Sequence, residues 1–228
     1  RISETEFAIG QLRLNRKQRS VRFPAVVNMT DGMVEYVCTT RYGKTHETLF
    51  ATDVLPVEVH LAMLLISDTG EIPKSGTADS SLLPAGTPID VHVEWRDSTN
   101  TISLPAEKLV LDHKTRKALK PGLFVYTSSR MRDEVFLGQL EGSIISLQED
   151  SDALSNIRKE HRRVGDTWIP KPDSLPKVGT PVEIEIRLSS SSCSGEDTKD
   201  AGAREASSNQ PEHRARPEVS ALIQNQQR

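Results

Sequence analysis

Aromatic residues are scarce in this chain, and at 4% they are too few to build a platform for stacked nucleic-acid bases. An excess of charge of one sign is missing as well. The formal net charge is −3 over 228 residues, so no global field draws the protein to nucleic acid or to an acidic membrane surface. No apolar run approaches the roughly 18 residues of a membrane helix; the best, "VHLAMLLI" at 59–66, predicts no transmembrane segment. Cysteine is limited to Cys38, in a strand pattern, and Cys193, in a serine tract. Contexts so different predict no structural disulfide and leave the redox compartment open. Catalytic motifs are missing too. There is no phosphate-cradling loop, no G-x-G-x-x-G, no G-x-S-x-G elbow, and no HExxH, HxxxH or CxxC spacing. These absences argue against nucleotide-dependent and serine-nucleophile enzymes, and they predict no cofactor and no bound metal.

What is present is mostly strand. "AIGQLRL" and "SVRFPAVVN" flank the polar turn "NRKQR", and "GMVEYVCTT" follows "NMTDG". "RYGK" is a tight connection in which Gly43 is able to take positive φ, and "THETLFA" continues as a fourth strand. The period then changes. With Thr52 or Asp53 as cap and Pro56 in the first turn, "VEVHLAMLLIS" predicts a helix over about 54–67. Its expected buried face carries Val57, His60, Leu61, Leu64 and Leu65, with Val59, Met63 and Ile66 widening the stripe. "TPIDVHVEW" alternates cleanly, and shorter strands are expected at 101–104, 106–111, 123–127, 134–138 and 143–147. A short helix at 152–160 and the closing strand "VGTPVEIEIRL" complete the pattern. From Ser189 onward the text is polar, mixed in charge and without apolar period. Such a segment buries too little to offset its ordering entropy, so 189–228 reads as a disordered tail. The expectation is one α+β domain over 5–188, a largely antiparallel sheet with one main buried helix.

The strands "GTPIDVHV" at 86–93 and "GTPVEIEI" at 179–186 echo each other, although a Gly-Thr-Pro entry to a half-exposed strand is easily reached twice. In chain order, "VRFPAVVN", "GMVEYVCTTRYGKTHETLF", "PVEVHLAMLLI", "IDVHVEW" and "VGTPVEIEIR" resemble the YdjY-type domain of exported or envelope-associated bacterial proteins, planctomycete- and verrucomicrobium-like. The resemblance spans roughly 9–188, and its most specific piece is Gly43-Lys44-x-His46-Glu47 with Pro56 and His60 downstream. It implies a periplasmic or secreted location and no defined reaction. Some relatives carry cysteine-rich iron–sulfur segments, but the two separated cysteines here cannot hold a four-cysteine cluster. The chain starts at Arg1 rather than at methionine, so a signal peptide or lipid anchor could have preceded it.

Candidate chemistry centres on His46, Glu47 and His60, with Glu35 and Asp53 as polar neighbours. In a strand, His46 and Glu47 point to opposite faces, so they would not form a dyad. His60, on an apolar helix face, needs a hydrogen-bond partner, and His46 or Glu35 is the expected one. The acidic "QEDSDAL" lacks the ligand spacing of a calcium loop and reads as a helix N-terminus capped by Asp150, Ser151 or Asp152. "RKEHRR" at 158–163 reads as a solvated helix end, and Trp168 as an anchor for the loop around it. The leading expectation is a non-catalytic binding or interaction module of the bacterial envelope. The rivals are a hydrolytic or metal-dependent site where His46 meets His60, and a structural subunit that pairs through a sheet edge.

Overall fold

The computed structural model describes residues 5–67, 86–158 and 167–189. Its first strands are β1 (Glu6–Ile9), β2 (Leu12–Asn15), β3 (Ser20–Val27) and β4 (Tyr36–Thr40). A 3-10 turn at Thr45–Glu47 leads into β5 (Thr48–Thr52) and helix α1 (Pro56–Ile66). Then come β6 (Thr87–Asp97), β7 (Asn100–Pro105), a second 3-10 turn (Ala106–Leu109) and β8 (Val110–Asp112). The chain continues through β9 (Phe124–Tyr126), the short hairpin β10 (Met131–Arg132) and β11 (Val135–Phe136), and helix α2 (Leu137–Glu141). It ends with β12 (Ser143–Ser146), β13 (Ser155–Ile157), β14 (Trp168–Pro170) and β15 (Pro181–Leu188).

These strands overturn the α+β expectation. Strands β3, β15, β6, β9, β13, β12, β4 and β5 pair in that order, and β5 returns to β3, closing an eight-stranded β-barrel. The two α-helices among the described residues add no strand to this wall, so the protein is a mostly β, closed barrel with two helices rather than a sheet built on one helix. Closure removes the sheet edges along the wall. The β1–β2 hairpin extends from β3, and β7 extends from β6.

The wall is antiparallel except at β12–β13 and β4–β5, which are parallel. Strand β3 shows how the seam is made. Its first half pairs with β2 and its last two residues pair with β5, as Val26↔Ala51 and Val27↔Phe50. Pro24, with no N–H to give, stands where that edge changes partner. Its carbonyl accepts a hydrogen bond from the Thr52 hydroxyl at 2.6 Å.

Alternation along β3, β15 and β6 sends Val21, Phe23, Ile184, Ile186, Val91 and Val93 into the interior, where all are buried. The two echoing strands prove to be neighbours. β6 and β15 lie antiparallel, with Ile184 opposite Val93 and Ile186 opposite Val91. Strands β4, β5, β12 and β13 are buried on both faces, which explains why hydroxyls such as Thr39 and Thr48 pair inside, at 3.3 Å.

Several local expectations change. Gly43 has no positive φ; it is needed for room, because a Cβ there would stand 3.0 Å from the Glu141 carbonyl. Gly142 does take φ +70°, ending α2 beneath that turn. The segment 45–47 is a 3-10 turn, not strand. The stretch 106–109 is also a 3-10 turn, and 137–141 is helix α2. The α1 N-terminus is capped neither by Thr52 nor by Asp53. Leu55 precedes it, and its N–H donates to the Glu58 carboxylate at 3.3 Å. Residues 155–157 form β13 in place of the expected helix, and Asp150 caps no helix. Trp168 is buried and pairs β14 with β8. Most of "RKEHRR", Cys193 and the tail from 190 lie outside the described residues.

Candidate functional site

The 3-10 turn brings together the pair that a strand would have separated. His46 Nε2 stands 3.9 Å from Glu47 Oε2. The imidazole is 79% exposed, which makes this a solvated contact. Asp53 pairs with Arg41 at 2.7 Å, with both side chains open to water. Glu35 is half-buried on the chain leading into β4, and its backbone ties Glu47 to Leu147. His60 turns elsewhere. Its Nδ1 lies 3.1 Å from the Tyr126 hydroxyl, and its ring is 5.3 Å from that of Phe136. The partner expected from His46 or Glu35 is therefore a tyrosine from β9. Burial lowers the His60 pKa, and burial pushes that of Tyr126 well up, so both groups are held neutral. His46, Glu47 and Glu35 thus lie together at the turn, whereas Asp53 pairs with Arg41 and His60 with Tyr126. Among the described residues, no group of three or more His, Cys, Asp or Glu is arranged to hold a metal.

Polar networks that the sequence did not announce lie at two places. On the outer wall, Arg13, Arg22, Glu185 and His92 are neighbours across β2, β3, β15 and β6. Arg22 contacts Glu183 at 3.2 Å and Glu185 at 3.3 Å, and Arg13 also pairs with Glu183. Burial alone would raise the Glu185 pKa, but Arg187 and Arg22 hold it below its ordinary value. A cavity of about 360 Å³ beside this band is lined by Glu6, Asn15, Gln18 and Ser20 together with the two arginines. Both guanidinium groups are already answered by carboxylates, so the band serves to pin strands together. Inside the turn, Lys44 Nζ donates to the Tyr36 hydroxyl at 2.7 Å, and that hydroxyl donates to Asp150 at 2.8 Å. This chain ties the Gly43 turn to the loop before β13, giving Lys44 a structural task.

Among the described residues, an apolar feature is left uncovered. Helix α1 is apolar nearly all round, and at 100° per residue it has two opposed arcs. Val59, Ala62, Met63 and Ile66 are buried, and α1 packs against β2 and β3. The opposite arc is open: Val57 is 37% exposed, Leu61 47% and Leu65 54%. Of the stripe expected to be buried, Val59, Met63 and Ile66 are buried and His60 and Leu64 half-buried, whereas Val57, Leu61 and Leu65 are exposed. Eight of the ten exposed large apolar side chains among the described residues lie on α1, α2 or segments that adjoin them. Besides those three they are Leu55 before α1, Leu140 on α2, Met131 and Val135 on the β10–β11 hairpin, and Tyr42. The elements are bonded to one another. The Gln139 side-chain oxygen accepts from the Val57 N–H at 3.2 Å, and the Tyr42 hydroxyl donates to the Gln139 carbonyl at 3.0 Å. Concentration of this kind marks interaction surfaces.

Sequence pattern alone could not find this surface, because Val57, Leu61 and Leu65 have the same period as the buried arc. The one available signal is that nine of the eleven residues of "PVEVHLAMLLI" are Val, Leu, Ile, Ala, Met or Pro outside any membrane-length run, with only Glu58 charged. No curated protein and no solved structure matches the chain. The family model described as the YdjY domain matches residues 12–187, which include both helices and the barrel wall up to Arg187. The chain belongs to the YdjY domain family.

Proposed function

We propose that this chain is a non-catalytic interaction module of the bacterial cell envelope, and that it binds a protein partner through the open arc of α1 and its surroundings. The observation that carries the reading is the exposed row Val57, Leu61 and Leu65 on a helix whose other arc is fully engaged. A helix that is apolar all round is ordinarily buried all round, so the free arc calls for a cover from outside the described residues. The hydrolytic or metal-dependent reading needs two imidazoles on one cavity, whereas His60 faces Tyr126 and Phe136, and His46 lies exposed beside Glu47.

A photo-crosslinking residue placed at position 61 or 65, in cells of the native host, tests the reading. A discrete protein adduct is expected from these positions and none from Met33 or Val178, two exposed apolar positions outside the group. Equal labelling from all four positions, or none from 61 and 65, would sink it. The envelope location rests on the family resemblance, and fractionation of the host, with the protein found in the cytosol, would remove that part.

A further inference from the structure

The small net charge conceals a local asymmetry. Between Glu107 and Leu123 the chain carries five Lys or Arg residues and two acids. Both acids are turned inward. Glu107 is 3% exposed, and its carboxylate accepts from the Gly122 N–H at 2.9 Å. Asp112 is 9% exposed and accepts from the Thr115 N–H at 2.6 Å. Lys108, Lys114, Arg116, Lys117 and Lys120 are all exposed, so every charged side chain that this segment presents to solvent is a cation.

The fold gathers these cations. β8 pairs with β14, and a bridge between Leu111 and Ala118 folds the chain after β8 back beside it. The tip that bears Arg116 and Lys117 is fixed by two backbone bonds, from the Asp112 N–H to the Lys117 carbonyl and from the Arg116 N–H to the Asp112 carbonyl. The Glu107–Gly122 bond sets the segment of Lys120 against the 3-10 turn of Lys108. The Lys171 N–H donates to the Leu109 carbonyl, which adds a sixth exposed cation. Among the described residues, Lys108, Arg116, Lys117, Lys120 and Lys171 form no ion pair with an acid. An exposed acid, Asp173, follows Lys171 by two residues.

The chemistry of the patch narrows its partner. Five of the six groups are lysines, compact point charges without the fork by which arginine grips a single phosphate or carboxylate. A spread of point charges suits a spread of phosphates. Trp168, the aromatic residue of these segments, is buried, so nothing here stacks on the bases of a single strand. Thr167, whose carbonyl accepts from the His113 N–H, is preceded by eight residues with three Lys or Arg and two acids. They hold no excess of acid to neutralise the patch. Attraction to an anionic lipid surface needs no cavity, grows with each Lys or Arg near it and is screened by salt.

We infer that the tip after β8, with Lys108, Lys120 and Lys171 beside it, is a docking face for an anionic phospholipid surface. The inference goes beyond the protein-binding reading, because it uses none of the residues of α1 or its surroundings.

Co-sedimentation of the full chain with lipid vesicles tests it. Binding is expected to phosphatidylcholine vesicles containing about one-third phosphatidylglycerol at about 0.05 M salt, with loss at about 0.5 M salt and no binding to phosphatidylcholine alone. Arg116→Gln/Lys117→Gln should weaken binding at least about 10-fold, and Arg16→Gln/Lys17→Gln, the same changes on the exposed β2–β3 turn, less than about 2-fold. The melting of both double variants should match that of the wild type, because all four side chains are exposed. No binding to the anionic vesicles overturns the inference, as does an equal loss in the two double variants. A wild type that leaves the vesicles for duplex DNA at equal phosphate concentration also overturns it, because the patch would then take any polyanion. Crosslinking at positions 61 and 65 reads other residues, so either reading can fail without the other.

Discussion

Tyr126 buries its phenol completely, and His60 reaches it from α1 with Nδ1 at 3.1 Å. A buried hydroxyl needs such a partner, because leaving it unpaired costs about 1–3 kcal/mol. The price is a histidine that resists protonation, since burial lowers its pKa. In the unfolded chain His60 would titrate near its ordinary value of about 6.5. As pH falls through that value the unfolded state takes up a proton that the folded state refuses, so stability is full above it and declines below it. Urea unfolding at pH 7.5 and pH 5.0 should therefore show a loss of stability on acidification. In His60→Gln, which keeps a polar group toward Tyr126, that loss should be smaller. An identical loss in the two proteins would mean that His60 accepts its proton without penalty.

On α1 as an element, the two arcs make opposite demands. Met63 is fully buried, and Leu61 is 47% exposed two residues earlier. Met63→Ala removes side-chain volume from a packed interior and should cost about 2–4 kcal/mol. Leu61→Ala in the isolated protein should cost less than about 1 kcal/mol, with a slight gain in helix propensity offsetting lost contact. Chemical denaturation of the two variants at low protein concentration checks the order, and equal costs would show that the helix is seated differently. The helix itself was legible, since Pro56 and the end of the apolar run bracket it closely. Its orientation was not. A moment argument needs a polar side, and in "VEVHLAMLLI" both sides are apolar. What fixes the inner arc is packing at a distance in sequence: Val59, Ala62, Met63 and Ile66 are buried in a helix that contacts β2 and β3. The same limit hid the site. His46 and Glu47 were read as alternating strand residues, yet the 3-10 turn placed them side by side, and His60 found its partner 66 residues away.

Across the whole molecule, strand identities could be read along the chain, but closure could not, because it depends on which distant edges meet. Clean alternation in β6 and β15 announced a wall with a wet side. The parallel pairings β4–β5 and β12–β13, and the return of β5 to β3, leave no local signature. That return is also a narrow joint in the barrel, resting on two residue pairs, the Thr52 hydroxyl and one side-chain clamp. The clamp is Asn28, whose amide donates to the Thr45 carbonyl at 2.6 Å and to the Thr48 carbonyl at 2.7 Å. It thereby fastens the end of β3 to the 3-10 turn and the start of β5. Asn28→Ala would leave two part-buried carbonyls without this donor, at a cost of about 2 kcal/mol. The loss falls on one joint, so the barrel should open there before it unfolds as a whole. Native-state hydrogen exchange of Asn28→Ala should show faster exchange at the amides of residues 27–29 and in β5. The amides shared by β15 and β6 should retain the protection set by global stability. Uniform acceleration throughout the wall would mean that the seam has no stability of its own, and that the eight strands open only together.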